Sequence, residues 1–217
     1  MPNYCNYRMK IAGRRDNVNA FIQIMKNEDY TKPHLYRVFE ADLEYTEDYG
    51  LWMKAYVSGY CAWSVYSCMF PGPATYYGDD NNAKRQRYYE EQPDNYVIGT
   101  NIIKEARRLA LTIEIYSEEP GMCFQEWYRV VCGEWVLDKS GEYNEWYLGE
   151  WNSYQDMQND LGEDYKIPFT EEEFKQAKLY DGECWTKREF EEPDTIPDNP
   201  VRLTKDVLYK VVDKNDK

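Results

Sequence analysis

The run from Asn101 to Trp135, NIIKEARRLALTIEIYSEEPGMCFQEWYRVVCGEW, constrains the fold of this chain more than any other stretch. Ile102, Ile103, Ala106, Leu109 and Ala110 recur at helical spacing, with Thr100 or Asn101 placed to cap the start. Lys104, Arg107 and Arg108 fall on the opposite face, two of them late, where cations suit the helix dipole. The period then switches to two. Leu111, Ile113 and Ile115 point one way and Thr112, Glu114 and Tyr116 the other, the pattern of a half-buried strand. Glu119-Pro120-Gly121 supplies a turn, and Cys123 to Cys132, rich in aromatic and β-branched residues, a second strand. Gly133 turns the chain again into Trp135–Leu137. A helix followed by an antiparallel hairpin predicts an α+β fold with helices packed on one face of a sheet.

The residues before this run extend the same plan. Tyr4 to Ala12 alternates as a strand ended by Gly13, with Cys5, Tyr7, Met9 and Ile11 on one face. Asp16 is placed to cap a helix from about Asn17 to Asn27, whose stripe is Val18, Phe21, Ile22 and Met25. Leu35 to Tyr45 reads as a second strand, Asp48-Tyr49-Gly50 as a turn, and Leu51 to Met69 as a third strand system bent at Gly59. Phe70 to Asn95 is a long irregular piece carrying Lys84, Arg85 and Arg87 beside Tyr88-Tyr89. Beyond Asp138, Glu142 to Trp151 alternates acidic and aromatic residues, and Ser153 to Leu161 reads as a short helix. Thr170 to Tyr180 is a second helix, opened by a Thr170/Glu173 capping box. Glu189 to Pro200 is acidic, proline-rich and linker-like. Val201 to Asp213 alternates as a terminal strand, with a helix from Thr204 as the competing reading.

Charge divides the chain. Residues 1–110 hold 14 basic and 14 acidic side chains, whereas residues 111–217 hold 12 and 26, so the whole net charge of −14 lies in the second half. Between Asp138 and Asp198 there are 18 acidic and 6 basic residues. Such a field repels nucleic acid and attracts basic surfaces. The 22 Tyr and 7 Trp suit a wet, half-exposed binding face. The sequence shows neither a long apolar run nor a signal-peptide pattern, which leads to the expectation of a soluble, cytoplasmic protein with no membrane partner.

Pro2-Asn3-Tyr4-Cys5-Asn6 followed by a strand and Gly13, then Trp63, then the second-helix run through Glu119-Pro120-Gly121, Phe124 and Gly133, resemble the YubB-like, ferredoxin-like-domain proteins of phages and plasmids over about residues 1–138. Tyr4 stands where that family favours Trp, the tryptophan-rich motif is reduced to Ala62-Trp63-Ser64-Val65-Tyr66, and Tyr96-Val97-Ile98 replaces the usual proline pair. The resemblance implies a mobile-element origin and a ferredoxin-like antiparallel sheet with two helices on one face. Residues 1–138 would be that core, and 139–217 an acidic, aromatic-rich extension packing on it. It implies no activity and no catalytic residues.

The residues offer little for catalysis. Nucleophilic triads and dyads need a histidine, and the one histidine, His34, sits beside Pro33 at a strand start and reads as a capping or surface group. No glycine-rich phosphate loop occurs. The cysteines at 5, 61, 68, 123, 132 and 184 lack C-x-x-C spacing and read as reduced core thiols, so no metal or other cofactor is expected. Glu40, Asp42 and Glu44 on one strand face read as its polar side, with a metal-dependent phosphodiesterase site as the third-ranked alternative.

The expectation is therefore a non-enzymatic accessory protein of a mobile element. It would bind and inhibit a host nucleic-acid-processing or defence enzyme, such as a CRISPR effector complex, by filling a basic nucleic-acid groove without touching nucleic acid itself. Glu142, Glu145, Glu150, Asp156, Asp160, Glu163, Asp164, Glu171, Glu172 and Glu173 would supply the charge, and Trp146 and Trp151 the anchors. The alternative is a nucleic-acid-binding protein that uses the sheet face or the Lys84–Tyr89 loop.

Overall fold

A computed structural model describes residues 4–29, 31–70, 99–162 and 164–191. Strand β1 (Tyr4–Arg14) leads into helix α1 (Arg15–Met25), strand β2 (Val38–Tyr49), strand β3 (Trp52–Ala62) and the short helix α2 (Val65–Met69). Helix α3 (Ile102–Leu109), strand β4 (Thr112–Glu119), a 3-10 turn at Pro120–Met122 and strand β5 (Phe124–Val131) follow. Strand β6 (Glu134–Tyr147), helices α4 (Tyr154–Leu161) and α5 (Glu171–Tyr180) and strand β7 (Cys184–Arg188) complete the described chain.

All seven strands join one antiparallel sheet in the order β2-β3-β1-β4-β5-β6-β7. Alternation sorts its two faces. Cys5, Tyr7, Met9 and Ile11 of β1, with Ala55, Val57 and Cys61 of β3 and Ile113 and Ile115 of β4, point into the main core. Helix α1 covers that core with Val18, Phe21, Ile22 and Met25, and α3 with Ile102, Ala106 and Leu109. The opposite face carries no helix among the described residues that belong to the main core.

This overturns the predicted ferredoxin-like sandwich of a small sheet closed by two helices on one face. The sheet is a curled half-barrel, and among the described residues strand outweighs helix by 45% to 28%. The physical reason is that β4 does not end the sheet. Its free edge takes β5 over eight residue pairs, β5 takes β6, and β6 takes β7. Residues 139–147 and 184–188, read from sequence as part of an extension, are thus rungs of the sheet, and residue 138 lies inside β6.

Local expectations also change. Helix α1 begins at Arg15 with Arg14 in the cap position and no side-chain cap, so Asp16 lies in the first turn, where its charge suits the dipole. The segment predicted as strand up to Met69 stops at Ala62. Trp63 takes φ 66°, and the Ser64 hydroxyl accepts the Ser67 amide at 3.0 Å, starting α2. Burial on both faces replaces the half-buried pattern of β4: Thr112, Glu114 and Tyr116 are as inaccessible as Ile113 and Ile115. Asn101 caps α3 by accepting the Lys104 amide at 2.9 Å, and Ala110, expected in the apolar stripe, is instead its left-handed C-cap. The basic Lys84–Tyr89 stretch and the terminal segment 201–213 lie outside the described residues.

Candidate acidic interaction surface

Beyond β6 the chain builds a second, smaller apolar cluster. Leu148, Met157, Phe169, Phe174, Ala177 and Trp185 are its buried members. Each element contributes by its own period: Met157 from α4, Phe174 and Ala177 from α5, and Trp185 from β7. Ser153 caps α4 by accepting the Asp156 amide at 3.1 Å. The predicted capping box of α5 is present. Glu173 accepts the Thr170 amide at 2.7 Å, while its own amide donates to the Thr170 hydroxyl at 3.3 Å. The Thr170 amide, and its hydroxyl at 2.8 Å, both donate to the Glu173 carboxylate and hold that carboxyl below its ordinary pKa.

This lobe, residues 148–183, holds ten acidic and three basic side chains. Glu150, Asp156, Asp160, Asp164, Glu171 and Glu172 are all exposed on it. Asp156 accepts the Asn152 amide at 3.1 Å, and Glu171 pairs with Lys175 at 2.9 Å. Lys178 bridges Glu183 at 3.0 Å and the Leu148 carbonyl at 3.3 Å, which fastens α5 to the turn after β6. Between α4 and α5 runs an open cleft of about 490 Å³ whose lining includes Tyr154, Gln158, Glu171, Phe174 and Lys175.

The two tryptophans predicted as anchors play another part. Trp146 packs edge-on to Phe169 at 5.6 Å and to Tyr165 at 5.8 Å, and Trp151 packs on the same cluster while its indole N–H donates to Asp160 at 3.0 Å. They hold the lobe together. Glu142 and Glu145 are exposed but lie on β6, apart from the helices; Glu142 donates its amide to Glu189 at 3.0 Å, and Glu145 accepts the Tyr143 hydroxyl. Glu163 lies outside the described residues. The exposed apolar groups of the lobe are instead Tyr165, Leu179 and Tyr180, the last two 73% and 79% accessible at the end of α5. The signal for them in the sequence is position: both fall off the Phe174/Ala177 stripe of an otherwise polar helix.

The other candidate sites resolve as follows. His34 is buried, and its Nδ1 lies 2.9 Å from the Lys32 carbonyl, a local structural contact. Cys5, Cys61 and Cys68 are buried together in the main core, and all six cysteines are free thiols. Glu44 accepts the Ser58 hydroxyl, and among the described residues no group of three His, Cys, Asp or Glu side chains is placed to hold a metal ion. On the helix-free sheet face Tyr4, Phe39 and Tyr60 form an exposed ring cluster with centroids 5.6 and 6.0 Å apart. Strand β2 pairs Glu40 with Tyr60 and Asp42 with Ser58 on that same face, which sets carboxylates beside the rings. Among the described residues nothing points to an enzyme. No helix among the described residues is long and apolar enough to cross a membrane. Comparison with protein-family models, curated proteins and solved structures finds no match to the chain, and so leaves the YubB-like resemblance resting on the residues quoted for it.

Proposed function

We propose that this chain is a binding protein that sets its acidic lobe against a basic surface of a partner protein, of the kind nucleic-acid-processing enzymes offer to their substrate. The observation that carries this reading is the exposure of six carboxylates, Glu150, Asp156, Asp160, Asp164, Glu171 and Glu172, on a folded lobe with its own apolar cluster. Disordered acidic tails also carry charge, but here Asp156, Asp160, Glu171 and Glu172 sit on capped helices in a fixed arrangement, which favours one complementary surface over general solvation. Tyr165, Leu179 and Tyr180 supply exposed apolar area beside the charges, the mixture that makes a protein contact more than electrostatic steering.

The test is capture of basic proteins from a bacterial lysate by the native chain and by a Glu150→Lys/Asp156→Lys/Glu171→Lys/Glu172→Lys variant. Selective capture of a nucleic-acid-binding enzyme by the native chain, competed by its own nucleic acid, supports the reading. Equal capture by both forms refutes it. A Leu179→Ala/Tyr180→Ala variant, which keeps the charge, separates contact from attraction: it should weaken capture without changing its salt dependence.

A further inference from the structure

Among the described residues strand β2 ends the sheet, with its outer edge open. It pairs with β3 on one side, and among the described residues nothing pairs with it on the other. Backbone groups of residues 38–48 make no other described backbone–backbone hydrogen bond, so alternate N–H and C=O groups face outward along the strand. The edge is long, twelve residues, and flanked by exposed Phe39, Leu43 and Tyr45. Tyr45 is held by stacking on Tyr56 at 4.0 Å, and Phe39 by its edge contact with Tyr4.

Charge narrows what such an edge accepts. β2 carries Glu40, Asp42, Glu44, Glu47 and Asp48 and no basic residue. Lys54 meets Glu47, and Arg15 meets Asp48, but no described lysine or arginine pairs with Glu40, Asp42 or Glu44. A second copy pairing β2 to β2 would set like charges opposite one another, which is unfavourable on a sheet. A phosphate backbone is repelled for the same reason. The register shifts at Val38/Glu40 and Leu43/Tyr45 twist the edge, and with the acidic side chains they guard against self-pairing. They do not guard against an extended strand that carries the opposite charge.

We infer that β2 is a docking edge for a basic, extended segment of a partner protein, which adds as an eighth strand. Its lysines or arginines at alternate positions lie against Glu40, Asp42 and Glu44, and its backbone takes up the open edge. This surface is separate from the α4–α5 lobe and does not depend on it.

The experiment uses the full chain and an alternating lysine–valine heptapeptide as probe, with its glutamate–valine counterpart. Binding is followed by amide hydrogen exchange and by affinity. The expected result is slowed exchange confined to amides of residues 38–48 with the lysine peptide alone, and an affinity loss of about tenfold or more in Glu40→Lys/Asp42→Lys/Glu44→Lys. Two peptides methylated on alternate amide nitrogens keep the charge while blocking one edge each; one of them should lose binding and the other keep it. Exchange protection of β1 and β4 amides reports whether the triple variant is folded. The proposal is overturned if both methylated peptides bind like the parent, if protection appears in α4 and α5 instead, or if the acidic peptide protects β2 equally. The Glu150→Lys/Asp156→Lys/Glu171→Lys/Glu172→Lys variant should bind the probe as the native chain does. Loss of probe binding there would defeat the β2 assignment while leaving the lobe's role standing.

Discussion

Replacing Arg129 with methionine isolates one of the few charges buried in the sheet. Glu114 on β4 and Arg129 on β5 face each other directly in the register. The Glu114 carboxylate is almost wholly buried, and its Oε1 accepts from Arg129 Nη2 at 2.7 Å and from the Trp127 indole N–H at 2.8 Å. Its Oε2 has no hydrogen-bond partner among the described residues. Arg129→Met keeps most of the aliphatic stem but leaves a buried carboxylate with one donor. Breaking a buried pair from one side typically costs about 3–5 kcal/mol, and because the Arg129 side chain is still 27% exposed the lower end, about 3 kcal/mol, is expected. Glu114→Gln in the same background removes the stranded charge and keeps the bond from Trp127, so the double variant should recover more than half of the loss. Urea unfolding of the native chain, both single variants and the double closes the cycle. A cost below about 1 kcal/mol for Arg129→Met, or strictly additive single effects, refutes the reasoning: the pair would then be solvated like a surface ion pair.

Three further outcomes follow from packing and capping. Leu148→Ala, in a fully buried site of the smaller cluster, should cost about 2–5 kcal/mol locally and accelerate amide exchange across 148–185 while leaving β1 and β4 protected. Gly59→Ala should destabilise the sheet by more than about 2 kcal/mol and loosen β2 first. A Cβ there would lie 2.0 Å from the Glu40 carbonyl oxygen and 2.8 Å from the Tyr7 hydroxyl that donates to it, and exchange at 38–48 reports the effect. Thr170→Ala should cost about 1 kcal/mol at neutral pH by dismantling the capping box of α5. Because the folded state lowers the Glu173 pKa, this stabilisation is present above the ordinary glutamate range, near 4.3, and fades as pH falls through the folded value, so melts of the two proteins should converge toward low pH.

What the sequence made legible was whatever is decided within a dozen residues. β1, the α1 stripe, α3, the β4–β5 hairpin and the capping box of α5 each declare themselves by local period or cap. Helix α2 did not. Four of its five residues, Val65, Tyr66, Ser67 and Cys68, are β-branched, aromatic or small, and only the Ser64 cap and the left-handed Trp63 turn them out of the strand. β7 is five residues long, and its partner, the second half of β6, lies about forty positions earlier, a pairing that no local pattern encodes. That non-local pairing adds the last strand, after the local β4–β5 and β5–β6 pairings have carried the sheet past β4. The same blindness misplaced Trp146 and Trp151. Their alternation with acidic residues was visible, but which face of the strand and turn would meet α4 and α5 was not, and they pack inward. The placement of Asp156, Glu171 and Glu172 was legible because the first turn of a helix selects acidic residues for its own reasons.

The two acidic surfaces sit toward opposite ends of the sheet, and their separation predicts independence. Six interstrand spacings of about 4.8 Å place β2 about 29 Å from β7 along the sheet, the longest separation that its curl allows. Two unit charges at that distance interact by about 0.1 kcal/mol in water before salt is counted. At physiological ionic strength the screening length is about 8 Å, which reduces this to a few thousandths. At that separation, a cycle that reverses Glu40, Asp42 and Glu44, then Glu150, Asp156, Glu171 and Glu172, then both sets, reads a coupling of only about 0.2 kcal/mol, because the like-charge cross-term of the native chain returns in the combined variant. Unfolding free energies of the two charge-reversed sets should add to that of the combined variant within about 0.5 kcal/mol. A coupling above about 1 kcal/mol would mean that the curl of the sheet brings the two surfaces into one field, and a single basic partner would then span both. Additivity, by contrast, allows a partner's extended basic segment to hold β2 while a second basic surface meets the lobe, each contact tuned by its own charges.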